Sequence, residues 1–451
     1  MSTQNHPDLP SGGPPEAVTP EAAGSAGSPR VGRVAGAVIA AGFVSFFTDI
    51  SSEMVTAVLP LFLILQVGLT PLQYGVVDGL YQGVSVAVRL VGGYFADRWR
   101  RPKLVCLLGY GLSIGTKLAL LRVGSASSTS LVVAVDRTGK GLRTAPRDAI
   151  IAASSARQGL GRAFGVHRAM DTAGAMIGPL LAFAILAEIP NSFGSVFVTS
   201  FWVAVVGLAV LVLFVPDLRL RATGGAVASL RGALGLVADR RVLALLLTAA
   251  PLAALTVSDG FVYLTLQQRL SVTNELFPLF AVGMSAAYLL LAVPAGRLAD
   301  RVGRWRVFLA GHVLLLVGYL CLLLTSAGLL TAAVCLGMLG CYYACTDGVL
   351  AAAVAELLPD HLRGSGIALV QSAVAGGRLV SSVLFGLLWT VLGGQTPALV
   401  CFTVALALDL PLAWLLMSRT GRRPVFPVRP GEPGPTRPAA GDEREVDRVD
   451  T

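Results

Sequence analysis

The sequence predicts an all-α integral membrane protein, with twelve transmembrane helices in two six-helix bundles related as parallel repeats. Three observations lead there. Of 451 residues, 54% are hydrophobic and only 14% charged, with a mean hydropathy of +0.72; soluble domains carry about 25% charged residues. Apolar runs recur from residue 34 to residue 417, and a span needs roughly 20 apolar residues. Finally, the segment "GYFADRWRRPK" in the first half is echoed by "GRLADRVGRWR" in the second.

Residues 1–33 are rich in Pro, Gly, Ser and Ala and lack the apolar core of a signal peptide, so a disordered cytosolic tail is expected there. Spans follow at 34–66, 72–95, 104–122, 127–153, 161–187 and 195–216. These six form the N-terminal bundle, 34–216. A basic cytosolic linker, 217–241, joins it to the C-terminal bundle, 242–418, with spans at 242–266, 276–298, 307–326, 329–357, 364–389 and 395–418. A second disordered cytosolic tail, 419–451, completes the chain.

The fourth span needs defending. "VDRTGKGLRTAPRDAII", residues 135–151, holds six charges: Asp136, Arg137, Lys140, Arg143, Arg147 and Asp148. By charge it reads as a loop, and loop arginines decide otherwise. With twelve spans and a cytosolic N-terminus, one side collects Arg98, Arg100, Arg101 and Lys103, then Arg157 and Arg162, the arginines of the linker, Arg301, Arg304 and Arg306, and Arg363. Arg269 is the main exception on the other side. Without span four, the linker and "DRVGRWR" would lie outside, against the positive-inside rule. The charged stretch is therefore expected in the membrane. Both termini are expected in the cytoplasm, in a multi-pass protein of the cell (inner or plasma) membrane.

These features resemble the major facilitator superfamily over residues 34–418. The diagnostic loop G-x-x-x-D-R-x-G-R is matched by Gly296, Asp300, Arg301, Gly303 and Arg304. In the first half Gly93, Asp97, Arg98 and Arg101 match, with Arg100 in place of the usual glycine. Span five carries Gly165, Gly174, Gly178 and Pro179 in the spacing of the motif of proton-linked drug and metabolite antiporters, without its terminal glycine pair. Small residues at i and i+4 also allow close helix approach, the plainer reading. Arg137 and Gly141 match the fourth-helix motif R-x-x-x-G, whose arginine in relatives is tied to proton transfer.

Ionisable residues inside a span are costly and are functional candidates by default. Asp49 and Glu53 share a face of span one; Asp78 lies in span two with Arg89, Asp259 in span seven, Asp347 in span ten and Arg378 in span eleven. In span four, Asp136, Lys140, Arg143 and Arg147 are spaced +4, +3, +4, so one stripe is expected to face a watery cavity or neighbouring acids. His167 and Asp171 stand at i, i+4 in span five and serve as a proton relay or a charge lock. Asp49 and Glu53 opposite Arg137 is the expected proton-coupling constellation, because an arginine moving relative to a buried acid changes its proton affinity. The expected substrate cavity comprises Asp136, Lys140, Arg143, Arg147, Asp78, Asp171, His167, Asp259, Asp347 and Arg378, whose cations slightly favour an acidic or zwitterionic ligand.

Other chemistries find no support. "TGKG" lacks the length and the following Ser or Thr of a phosphate loop. Four histidines and six cysteines never cluster with metal-ligand spacing, so no metal and no cofactor are expected, and no enzyme. The net charge of +9 sits in particular loops, reading as topology and not as nucleic-acid binding. The expected partners are a small-molecule substrate, protons and the lipid bilayer, with a functional monomer. Three functions stay open: proton-driven export of a small organic molecule, symport or exchange of an anionic solute, and a non-transporting receptor or assembly factor.

Overall fold

The computed structural model describes residues 36–99, 101–155, 159–217, 235–325 and 328–420, with side chains omitted at 89–99, 360–361 and 419–420. Both predicted tails and most of the linker, 218–234, lie outside the described residues, as do the side chains of Arg89, Gly93, Asp97 and Arg98. The described part is helical throughout. The first bundle consists of α1 (Gly36–Leu65), α2 (Pro71–Trp99), α3 (Pro102–Ala119), α4 (Ala126–Ala153), α5 (Leu160–Glu188) and α6 (Phe193–Phe214). The second consists of α7 (Arg240–Ala254), α8 (Asp259–Leu270), α9 (Pro278–Val302), α10 (Arg304–Leu324), α11 (Leu329–Leu357), α12 (Asp360–Val391) and α13 (Gln395–Thr420).

All twelve expected spans are present, with one correction. The seventh is broken: α7 stops at Ala254 and α8 restarts at Asp259, leaving 255–258 unwound. Pro251, four residues earlier, removes a backbone donor and loosens this turn. The freed peptide groups find side-chain partners, as buried backbone must. Val257 N donates to Tyr319 Oη at 2.7 Å, and Ser381 Oγ donates to the Thr256 carbonyl at 2.5 Å. The break converts Asp259 from a mid-span residue into the first residue of a half-helix.

Ten of the spans are long and apolar enough to cross a membrane, α7 and α8 counting as one; α2 and α4 are long enough but too polar to qualify by hydropathy. Packing explains how α4 remains in the bundle. It lies between α2 and α3, and the glycines of "TGKG" make that possible. A Cβ on Gly139 would sit 2.5 Å from the Gly109 carbonyl of α3, and one on Gly141 would sit 2.8 Å from the Ser85 carbonyl of α2. The segment that imitates a phosphate loop is a device for close helix packing.

Between α9 and α10 the chain turns on a single residue, Gly303, at φ +108°, a conformation that side chains disfavour. This is the glycine of the second loop motif. Its first-half counterpart, Arg100, is outside the described residues, and Arg101 caps α3 with an extended φ of −130°.

The bundles meet at one end, where α1 passes into α2 and α5 into α6. There α2 packs along α12, with Gly75 against the Ser382 carbonyl and Gly386 against that of Pro71. Leu72 N donates to Thr390 Oγ1 at 3.2 Å, and Asn274 Nδ2 donates to Asn191 Oδ1 at 2.7 Å. Tyr74 meets Phe261 edge-on, with ring centroids 4.7 Å apart. A Gly75→Leu substitution is expected to hold this end apart. Disulfide formation between Leu72→Cys and Thr390→Cys, in a Cys401→Ser background, should be efficient with Gly75 and drop severalfold with leucine. Equal cross-linking would show that the α2–α12 contact does not depend on the glycine.

Candidate functional site

Charge inside the first bundle is organised around Asp136. Its carboxylate accepts from Lys117 Nζ at 3.0 Å, Thr116 Oγ1 at 3.1 Å, and Arg137 Nη2 at 2.5 Å and Nε at 3.1 Å. Arg137 lies 3.8 Å over the Tyr81 ring, whose hydroxyl bonds Thr56 Oγ1 at 2.8 Å. One buried network thus ties α3 and α4 to α2 and α1. Lys117 is absent from the sequence-derived candidates, although it is the only Asp, Glu, Lys or Arg between 104 and 121. The rule that any ionisable residue within a span is a candidate would have found it.

The expected stripe of α4 does not face one cavity. The four Cα positions fall within about 60° of arc, but the long side chains fan apart. Asp136 and Arg143 point towards α3, both nearly inaccessible, with Arg143 stacked 4.6 Å over Tyr110. Lys140 is half-buried and interacts electrostatically with Glu53 and Asp49. Arg147 donates to Ser45 Oγ at 3.2 Å and lies 3.7 Å from Asp171. Likewise, Arg137 is paired first with its own neighbour Asp136; Glu53 is a longer-range electrostatic partner.

Asp49 meets a different acid. Its carboxyl lies close enough to Asp171 of α5 for the two acids to interact electrostatically. Arg147 and Arg168 flank Asp171 at 3.7 and 3.8 Å. His167, 4% exposed, bonds Ser45 Oγ through Nε2 at 2.9 Å. The glycines of the span-five motif bring these helices together. Gly174 packs on the Phe46 carbonyl, while a Cβ on Gly178 would lie 2.6 Å from the Ile50 carbonyl and 2.9 Å from Glu53 Cβ. Gly165 faces open space.

In the second bundle Tyr343 Oη donates to Asp259 Oδ1 at 2.8 Å, and Arg378 lies 5.2 Å over the Tyr343 ring and 3.7 Å from Asp347. The Asp347 side chain is half exposed. At the end bearing the basic loops Arg304 bonds Asp300 at 3.4 Å, Glu356 at 3.2 Å and the Ala352 carbonyl at 2.7 Å, clasping α9, α10 and α11. Glu356 is a further residue not singled out in the sequence. Arg301 is exposed, and Gly296 lines a cleft of about 310 Å³ with Asp300 and Arg304.

Between the bundles lies a cavity of about 140 Å³. Its wall carries Glu53 and Pro179, Asp78 of α2 and Asp259 of α8, with Tyr74, Tyr81 and Tyr263. Among the described residues the wall contains no Lys or Arg, so the α4 cations do not contribute to it. Of the expected substrate-cavity residues only Asp78 and Asp259 are in the wall. Asp78 accepts from Ser382 Oγ at 2.5 Å. Among the described residues no cluster of His, Cys, Asp and Glu could hold a metal ion.

The architecture has known counterparts. The family model for the Major Facilitator Superfamily matches residues 41–286 and again 253–445. An uncharacterised MFS-type transporter of Methanocaldococcus jannaschii is 29% identical over 359 residues, covering 78% of this chain and 87% of its own. Among solved structures, the nucleoside transporter NupG superposes with a TM-score of 0.73 at 12% identity, over 86% of this chain and 100% of that one. The peptide transporter POT, with sulfate bound, superposes with a TM-score of 0.72 at 14% identity, over 87% and 95%. The chain belongs to the major facilitator superfamily. It is a multi-pass membrane protein and a secondary transporter that works by alternating access, binding its small-molecule substrate within the membrane.

Removing one partner from a buried ion pair costs about 3–5 kcal/mol. Asp136→Asn, which strands both Lys117 and Arg137, should therefore lower thermal stability in detergent sharply, whereas Lys117→Met/Asp136→Asn, which strands Arg137 alone, should recover part of the loss. A double variant no more stable than Asp136→Asn would show that the Lys117 charge does not depend on Asp136.

Proposed function

We propose that the protein is a proton-coupled exporter of a small organic molecule, working in the cell membrane with both termini in the cytoplasm. The observation that carries this is the closeness of Asp49 on α1 to Asp171 on α5, with Arg147 3.7 Å from Asp171. Two carboxylates sharing one buried site favour holding a single proton between them. Arg147 lies beside Asp171, on a different helix from either acid. Moving Arg147 towards the pair favours release of that proton, and withdrawing it favours uptake. The pair sits on α1 and α5, the helices held together by Gly174 and Gly178, so the motif that resembles those of proton-linked antiporters also holds the proton site together. That resemblance supports export. With the basic loops facing the cytoplasm, the contacts between bundles close the outer end and leave the inner end open, the state in which an exporter loads.

The ionisable cluster acts as a unit in this scheme. Lys140 links Asp49 to Glu53 in the cavity wall electrostatically, giving the proton site a path to the substrate site through one side chain. His167 holds Ser45, which also receives Arg147.

The test uses proteoliposomes with a trapped pH dye and an acidic lumen, presented with a panel of small organic amines and acids. At least one compound should dissipate the gradient with wild-type protein. Asp49→Asn and Asp171→Asn should bind that compound yet lose about a hundredfold or more of coupled flux, the scale of a lost proton-transfer group. Full coupling in Asp49→Asn removes it as the carrier. Accumulation driven by an inward proton gradient reverses the assigned direction.

A further inference from the structure

The chemistry of the cavity wall narrows the substrate. Asp78 comes from the first bundle and Asp259 from the second, and both face the same 140 Å³ space, where each acts electrostatically on the other. Among the described residues neither has a cation in contact. The partner of Asp78 is the Ser382 hydroxyl, that of Asp259 the Tyr343 hydroxyl, and Arg378 reaches Asp259 only at longer range. Glu53 completes the acidic wall, opposed electrostatically by Lys140 and Arg137 from behind.

A second, independent observation points to a ligand. Tyr263 is 5% exposed and lines the cavity, and its hydroxyl has no hydrogen-bond partner among the described residues. A buried hydroxyl left unpaired costs about 1–3 kcal/mol, and a ligand N–H group would satisfy it. Tyr74 and Tyr81 add aromatic faces of the kind that attract organic cations. Tyr81 already holds one cation, the Arg137 guanidinium, on its ring. A bare metal ion would need a convergent set of three or more ligands, and the described residues offer none. In size, roughly 150 Å³ of cavity is enough to admit benzene.

We propose that the substrate is a small monovalent organic cation, an alkyl- or aralkyl-ammonium, whose ammonium group bridges Asp78 and Asp259 and donates to Tyr263. The ligand then relieves repulsion between two acids on opposite bundles. Its arrival draws the halves together, and its departure lets them part. An acidic solute, the ligand that the span-four cations suggest from sequence, meets three carboxyl groups here, those of Glu53, Asp78 and Asp259. This assignment rests on the protein being a transporter that works through this cavity, and not on the coupling ion or the direction of transport.

Equilibrium dialysis of purified protein in detergent tests it, with phenethylammonium and phenylacetate as probes of like size and opposite charge. Phenethylammonium should bind saturably and phenylacetate should not. Asp78→Asn and Asp259→Asn should each weaken the amine about tenfold or more, as expected for loss of a charge-assisted contact. Tyr263→Phe, which keeps the ring packing on Phe277 and Phe280, should weaken it severalfold. Variants are first required to elute as monodisperse protein with an unchanged melting temperature, and Tyr263→Phe provides a readout should an acid variant misfold. Binding of phenylacetate as tight as that of the amine overturns the proposal. So does the absence of saturable amine binding, or unchanged affinity in the variants. Binding in detergent involves no gradient, so a failure of proton coupling or of the export direction would show in the liposome assay and leave this result standing.

Discussion

A charge withdrawn from water must be paired and hydrogen-bonded, or it cannot stay. That constraint organises the first bundle. Asp136 would be costly alone, as would Lys117 or Arg137. Together, with Thr116 donating and Tyr81 receiving the guanidinium on its face, they form a network in which each charge has a partner. The glycines of α4 follow from the same need. Charge-assisted bonds work near 3 Å, so α2, α3 and α4 must approach until their backbones touch, which Gly109, Gly139 and Gly141 allow. The helix too polar to qualify as a span by hydropathy belongs to the bundle because its polarity is consumed inside it.

Consumption of the α4 cations leaves the central cavity acidic. Arg143 is spent on Tyr110, Arg137 on Asp136 and Tyr81, and Arg147 on Ser45 and Asp171. Of the acids in the wall, Asp78 and Asp259 have hydroxyl partners, and Glu53 interacts electrostatically with Lys140 and Arg137. The break in the seventh span serves the same end. By starting α8 at residue 259 it sets Asp259 at a helix N-terminus, where the helix dipole favours an anion, while Tyr319 and Ser381 satisfy the unwound backbone.

Much of this was legible in the sequence. Apolar runs located most of the spans, the positive-inside pattern rescued the fourth, and the repeated loop identified the two halves. The break at 255–258 was missed because the span as a whole reads as apolar, although Pro251 and the sequence Ser258-Asp259-Gly260 marked it. Site residues were legible as a set but not as pairs. Helical spacing places Cα atoms on a face, yet lysine and arginine side chains reach several ångströms beyond that face and select partners from other helices. Hence Arg143 was expected in a cavity and packs on α3, and Asp49 was set opposite Arg137 but meets Asp171. Lys117 was overlooked in a span that otherwise reads as apolar packing, although its charge alone marked it.

The division of labour among contacts agrees with alternating access. The ion pairs described above, Lys117–Asp136, Arg147–Asp171, Arg304–Glu356 and Arg378–Asp347, each join residues of one bundle. Contacts across the bundles are of another kind: glycine against carbonyl, Thr390 against a backbone amide, Asn191 against Asn274, and Tyr74 against Phe261. Breaking a buried ion pair strands a charge, whereas parting two neutral groups at a wetted end returns each to water at a net cost of about 1 kcal/mol per hydrogen bond. Strong pairs within and neutral contacts between make each half rigid and the boundary separable. On the first bundle Asp78 faces that boundary and meets the second bundle through the Ser382 hydroxyl. A ligand that engages Asp78 therefore acts directly on a joint between the halves.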